Sequence, residues 1–415
     1  MPSDKDRKTL QQQVLTATAY FLHIIGAAAM LYQQANYWKQ PYHTSALTGQ
    51  AWVNKLINGH PDRIFNELRM HLHVFLAFVA NLRLICGLET SKHRVSVEEQ
   101  AAIFLYACVT GLSIRHLGER FQRSNDTISK YFQKVLNAVS SGPFYDLYVK
   151  LPDLSTPIPD YILTNSKFFP YFRSVLGALD GTHINAFTSA ADQHASHDHK
   201  GGITQNFLAA CSFDFHFLYI INGFEGSAAD ATMYLHAHLL DFAIPQGKYY
   251  IADAGFAICD TLLVPYHGVH YHLAEWGQAG VRPANKEELY NLCHAQAPNV
   301  VECIFGVLKK RWDILNRPPQ YDLSIQAKIP AGLGSVHNFI MDHNETDLEH
   351  YLDQEPTPEN NTSTGALGDG LISHVERARA TALRDEIATQ MRNDYQQFLC
   401  EHPEVLEENF IPENE

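Results

Sequence analysis

Apolar residues recur at three- and four-residue spacing through the first third of the chain, then give way to short apolar runs that end in acids. Ile64, Leu68, Leu72, Phe75, Phe78, Val79 and Leu82 predict one helix over residues 62–90. Ser96 followed by Glu99 is a capping-box start for a second helix, Ser96 to Val109. Two helices in close succession follow, Ser113 to Phe121 and Asn125 to Val139, separated by Gln122-Arg123-Ser124. Ile114, Leu117 and Phe121 would pack on Ile128, Phe132 and Val135 in a helix-turn-helix-like pair. Arg115, Arg120, Arg123 and Lys130 would stay outside, available to DNA phosphates.

Ser140-Ser141-Gly142-Pro143 ends this helical region, and Pro152, Pro157 and Pro159 mark an extended connector. From residue 172 the texture becomes that of strands: Ser174 to Asp180, Ile203 to Ser212, Phe217 to Gly223 and Lys248 to Asp253. Asp230 to Leu240 and Asn299 to Leu315 read as helices. Strands followed by helices predict an α/β domain with a mixed sheet. The expected organisation is an N-terminal apolar helix (1–35), a helical domain (36–142) with the helix-turn-helix-like segment at 113–139, a connector (143–171), an α/β domain (172–345) and an acidic tail (346–415).

Charge refines this picture. The chain of 415 residues carries a formal net charge of −14, unevenly spread. Residues 1–150 hold 16 Lys/Arg against 10 Asp/Glu, residues 151–345 hold 11 against 19, and residues 346–415 hold 4 against 16. A basic N-terminal third can meet a polyanion although the whole chain is acidic, and the C-terminal stretch reads as a solvated extension. Seven scattered cysteines without a C-x-x-C pair argue against a zinc ribbon or disulfide scaffold and fit a reducing compartment. No formal charge lies between Lys8 and Lys39, and Val14 to Tyr32 is long enough to span a bilayer. Thr16, Thr18 and His23 dilute it, so a buried or partner-packing helix is expected rather than a membrane anchor.

Three acids carry the candidate chemistry. Asp180 and Asp253 each close an apolar strand, at the sheet rim where sites form, and Glu302 lies on an amphipathic helix. One turn beyond it Gly306 leaves room for a substrate, and Lys309 can reach a phosphate. Convergent carboxylates suit Mg²⁺ or Mn²⁺, and two such ions serve phosphodiester cleavage. The triplets His194/His197/His199 and His267/His270/His272 lack a cysteine or acidic partner at zinc spacing and read as loop histidines.

Gly177-Ala-Leu-Asp-Gly-Thr-His183, Gly223-Phe-Glu-Gly-Ser-Ala-Ala-Asp230, Ile251-Ala-Asp-Ala-Gly-Phe256 and Asn299-Val-Val-Glu-Cys-Ile-Phe-Gly-Val-Leu-Lys-Lys-Arg-Trp312 occur in order, with Val336-His-Asn-Phe339 behind them. Together they resemble the PIF/Harbinger transposases and the Harbinger transposase-derived nucleases, over roughly residues 40–345. The resemblance implies a ribonuclease-H-like catalytic fold, with Asp180, Asp253 and Glu302 as a metal-binding DDE triad and Asp230 as a capping or supporting acid. It implies a nuclear endonuclease or transposase that uses two Mg²⁺ (or Mn²⁺) ions. Its expected partners are double-stranded DNA at transposon ends, a separate Myb-like DNA-binding protein and a second copy of the chain. A domesticated, catalytically impaired DNA-binding or scaffold protein is the alternative. Relatives carry arginines where this chain has Cys293, Pro298 and Cys303, and a basic loop where it has Ser196-His-Asp-His-Lys200. Either phosphate-binding cations have been lost here, or Lys200, Lys309, Lys310 and Arg311 suffice.

Overall fold

The computed structural model describes residues 4–34, 42–187, 204–269, 282–296, 299–352 and 372–403. The chain divides into two units, residues 1–47 and 48–415. The first is dominated by helix α1 (Asp4–Gln33). None of its residues is buried, so the expected burial of this segment is not observed. It is long and apolar enough to cross a membrane, by length and composition. Thr16 and Thr18 direct their hydroxyls to the carbonyls of Gln12 and Val14 one turn back.

The second unit begins with helices α2 (Gly49–Ile57), α3 (Pro61–Leu68), α4 (Leu72–Leu84), α5 (Val97–Thr110), α6 (Ile114–Phe121), α7 (Asn125–Val139) and α8 (Gly142–Tyr148). The single helix expected over 62–90 is two. Arg69 adopts a left-handed conformation (φ 54°) that closes α3, and α4 restarts after His71. Ser96 caps α5 by accepting from the Glu99 N–H at 3.1 Å, and Ser124 caps α7 through the Thr127 N–H. Leu117 and Phe121 of α6 and Ile128, Phe132 and Val135 of α7 are buried, with Phe121 against Trp52 and Tyr106 and Phe132 against Phe104 and Tyr321, while Ile114 remains partly exposed.

The sheet has strand order β3-β2-β1-β4-β5, with β1 (Val175–Asn185), β2 (Thr204–Cys211), β3 (Phe217–Glu225), β4 (Tyr249–Ala252) and β5 (Leu262–Leu263). The first three strands form an antiparallel meander, and β4 and β5 extend it in parallel from β1. Helix α9 (Asp230–Leu240) covers one face, burying Met233, Tyr234 and Ala237 against Leu179, Leu208, Ala210 and Tyr250. Helix α11 (Asn299–Arg311), reached through α10 (Lys286–Gln296), covers the other, with Phe305 against Phe207 and Phe217.

Helix α12 (Lys328–His343) joins helical region and sheet into one unit, packing on α7, α8 and β3. Asn338 carries the junction. Its Oδ1 accepts from the Phe217 N–H at 2.8 Å, and its Nδ2 donates to the carbonyls of Tyr148 and Phe217. His337 Nε2 pairs with the Phe215 carbonyl, and burial holds the imidazole well below its usual pKa. The His-Asn-Phe element is thus a structural clamp between strand β3 and the helices.

The acidic C-terminal stretch is not wholly a solvated extension. Residues 374–401 form helix α13 (His374–Glu401), which lies along α10. Ala380, Ile387, Ala388 and Met391 are its buried stripe, at helical spacing. Arg384 stacks over Tyr266 at 3.9 Å, the Tyr266 hydroxyl donates to Asp385, and Arg392 donates to the carbonyls of Pro283 and Ala284.

Candidate active site

Parallel pairing of β1 with β4 places Asp180, midway along β1, beside Asp253, which directly follows β4. Leu179 is in register with Ala252, so Asp180 and Asp253 are the next residues on neighbouring strands. Each carboxylate is oriented by a nearby backbone amide: the Gly181 N–H donates to Asp180 Oδ1 at 2.8 Å, and the Gly255 N–H to Asp253 Oδ1 at 2.9 Å. Glu302, in the first turn of α11, is exposed, and its charge acts on both.

Electrostatically the cluster is overloaded with negative charge. Burial, then the charges of Asp253 and Asp230, push the Asp180 carboxyl well above the usual carboxylate range, with Glu302 adding a smaller push. Asp253 is pushed up to about 6 by burial first, and by Asp230 and Glu302, against the stabilising Gly255 N–H. Asp230 is raised chiefly by burial, offset by its bond from Asn206 and by His183. The structure therefore brings the three predicted acids into one electrostatic neighbourhood and adds Asp230 to it.

The donor chemistry, carboxylate oxygen with excess negative charge, fits a hard divalent cation. Among the described residues, no three His, Cys, Asp or Glu side chains are drawn together at ligating distance. Of the two histidine triplets, only His267 lies within the described residues.

Lys309 reaches from α11 to strand β1. Its Nζ donates to Thr182 Oγ1 at 2.9 Å, on the residue two beyond Asp180 and hence on the same face of β1. A Cβ added at Gly306, one turn after Glu302, would meet nothing within 4 Å, so this part of α11 is open to an incoming ligand. The other cations differ from expectation. Arg311 is fully buried in an ion pair with Asp347 and under the ring of Tyr351, and it cannot serve a phosphate there. Lys310 donates to the Tyr351 carbonyl, and Lys200 lies outside the described residues.

The four cations expected to face DNA from the helix-turn-helix-like pair are not equivalent. Arg115 and Lys130 are exposed. Arg120 stacks over Trp52 at 4.3 Å, and Arg123 forks both oxygens of buried Glu99 at 3.0 and 2.9 Å. Those two are committed to packing α6 and α7 onto α2 and α5.

The positions read as lost arginines also divide. Cys303 is half-buried on α11, whereas Cys293 is buried in α10, its thiol pushed up to about 12 by burial. Pro298 lies outside the described residues. An arginine at 293 would place an unpaired cation in an apolar interior. Cys293→Arg is therefore expected to destabilise the chain by about 3–5 kcal/mol, and Cys303→Arg to leave stability within about 1 kcal/mol. Denaturant unfolding of the two variants distinguishes these outcomes, and equal stabilities would refute the assignment.

Three comparisons with known proteins bear on this arrangement. Residues 179–338 match the family described as DDE superfamily endonuclease, an interval that contains all three acids and ends within the His-Asn-Phe element. Residues 44–141 match a domain of unknown function, DUF8040, which coincides with the helical region. The protein ALP1-like of Arabidopsis thaliana is 21% identical over 334 residues, covering 75% of this chain and 73% of its own. No solved structure matches the chain.

Proposed function

We propose that this protein is a divalent-cation-dependent endonuclease or transposase that cuts double-stranded DNA in the nucleus, a reading supported by the match of residues 179–338 to the DDE superfamily endonuclease family and by the similarity to the ALP1-like protein. The observation that carries the reading is the β1–β4 register, which sets Asp180 beside Asp253 within electrostatic reach of Glu302. An antiparallel meander extended by parallel strands, with helices on both faces, supports a ribonuclease-H-like catalytic fold.

Asp180, Asp253 and Glu302 would hold Mg²⁺ or Mn²⁺, most simply as a pair of ions. When bound, two such cations activate water or a 3′-hydroxyl and stabilise the leaving oxygen. The Gly181 and Gly255 amides keep the two aspartates oriented toward the rim. Lys309, braced on Thr182, supplies a positive group beside the acids for the DNA backbone, and the open surface at Gly306 admits it. A Myb-like partner and a second copy of the chain would share recognition of the DNA ends.

The test is nicking of a supercoiled plasmid by the purified full chain on addition of Mg²⁺ or Mn²⁺, with Asp180→Asn as the inactive control. A second reading, a domesticated protein that binds DNA without cutting it, is favoured by the exposure of Glu302 and by the burial of Arg311. Binding without nicking in either cation would select it.

Of the four cations expected to meet phosphates, Arg115 and Lys130 are the exposed two and the ones available to DNA. Replacing both by Ala is expected to lower the salt slope of DNA binding by roughly two, at about 0.9 per phosphate contact. The same change should leave the unfolding midpoint in place. An unchanged slope would return this segment to a purely structural helix pair.

A further inference from the structure

Asp230 opens helix α9 but does not cap it: the cap position is Ala229, with no side-chain capping bond. Its carboxylate is turned instead onto strand β1. A Cβ at Gly181 would collide with Asp230 Oδ1, so the residue after Asp180 can carry no side chain if that carboxylate is to lie against the strand. The same oxygen accepts from Asn206 Nδ2 at 2.9 Å. Asn206 is buried, and its amide also donates to the Ala228 carbonyl at 3.0 Å, which ties down the residues leading into the helix.

Asn206 pairs directly with His183 across β1 and β2. By strand alternation, Gly181, His183 and Asn206 share the face opposite Asp180 and Thr182. Asp230 thus stands behind the sheet rim, while α11 with Glu302 and Lys309 stands in front of it. Its charge nevertheless acts on Asp180 and Asp253 more strongly than that of Glu302 does.

The geometry points to Asp230, held by Gly181 and Asn206, as a fourth carboxylate of the site: a positioning residue that raises cation affinity from behind the sheet without touching the reacting phosphate. This inference rests on the cation-dependent reading above. A buried negative charge that cannot relax into solvent adds to the field at Asp180 and Asp253, and the Asn206 amide fixes where that charge sits.

The experiment is calorimetric titration of the full chain with Mn²⁺, beside cation-free thermal unfolding, for the parent, Asp230→Asn and Asn206→Ala. Asp230→Asn is nearly isosteric and still accepts from Asn206. It is expected to bind Mn²⁺ roughly tenfold more weakly, with unfolding as cooperative as in the parent. Asn206→Ala keeps the charge but releases it, and its affinity should fall between the two. A folded Asp230→Asn with parental Mn²⁺ affinity overturns the inference, since a merely structural role would move stability and leave affinity alone. If Asp230→Asn fails to fold, Asn206→Ala decides: weakened binding supports the inference, and parental affinity overturns it. If the parent itself binds no Mn²⁺, the cation-dependent reading falls first, and this inference with it.

Discussion

Asp253→Asn is expected to abolish divalent-cation-dependent DNA cleavage and, in the same molecule, to stabilise the cation-free fold at neutral pH. Asn keeps the shape and can still accept the Gly255 N–H, but it loses the charge that a hard cation requires. The stability gain follows from the raised carboxyl. Folded Asp253 protonates at about 6, and an unfolded aspartate near 3.9. The folded state therefore binds the extra proton, and its stabilising effect is fully present below the unfolded value and lost as pH rises through 6. Above pH 7 the parent bears a penalty of roughly 2–3 kcal/mol from this group, which the Asn variant does not. The difference between the two should shrink as pH falls from 7 and vanish below about 4. Added Mn²⁺ should raise the parent's melting temperature and leave the variant's unchanged, because only a bound ligand shifts the folding equilibrium. Undiminished nicking by the variant would remove Asp253 from the mechanism, and a pH-independent stability difference would remove the charge-crowding explanation.

Asp180 and Asp253 are legible in the sequence because an apolar run that stops at an acid is a local pattern. Their adjacency is not, since β1 and β4 are partnered across an intervening hairpin and helix α9. Strand β1 itself runs to Asn185, five residues past the expected stop at Asp180. Its outer half, Gly181-Thr-His-Ile-Asn185, has weak strand character alone and is held by pairing with Thr204 to Leu208. Helix α13 was hidden by its charge. Net acidity suggested a solvated tail, yet Ala380, Ile387, Ala388 and Met391 already carried a helical stripe, and a periodicity count would have found it. Arg120 and Arg123 fall off the apolar face of the helix pair, and the sequence alone therefore places them outward. That face shows what packs between α6 and α7, and says nothing of a third element arriving from elsewhere in the chain. Trp52 and Glu99 come from α2 and α5, and no local pattern connects them to these arginines.

Arg123→Ala is expected to destabilise the chain by about 3–5 kcal/mol, more than any change at an exposed cation of the same helix pair. Glu99 is fully buried at the start of α5, where a capping-box glutamate would ordinarily reach back to its own helix. Here its carboxylate faces across to Arg123, which donates Nε to one oxygen and an Nη to the other. A Cβ at Gly49 would collide with Glu99 Oε1, so α2 also closes tightly over the carboxylate and limits access of water to it. Removing the guanidinium leaves a buried anion with its principal cation gone, which costs far more than the pair contributes when intact. The double variant Arg123→Ala with Glu99→Gln removes that orphaned charge and should recover a large part of the loss, whereas Glu99→Gln alone should cost less than Arg123→Ala. Urea unfolding of the three variants tests this, with DNA affinity measured only where each remains folded. Were Arg123 chiefly a phosphate contact, its alanine variant would unfold at the parental midpoint and bind DNA with a salt slope lower by about one. The distinction decides whether the turn between α6 and α7 is part of the DNA-facing surface or a joint that fixes the angle at which Arg115 and Lys130 are presented.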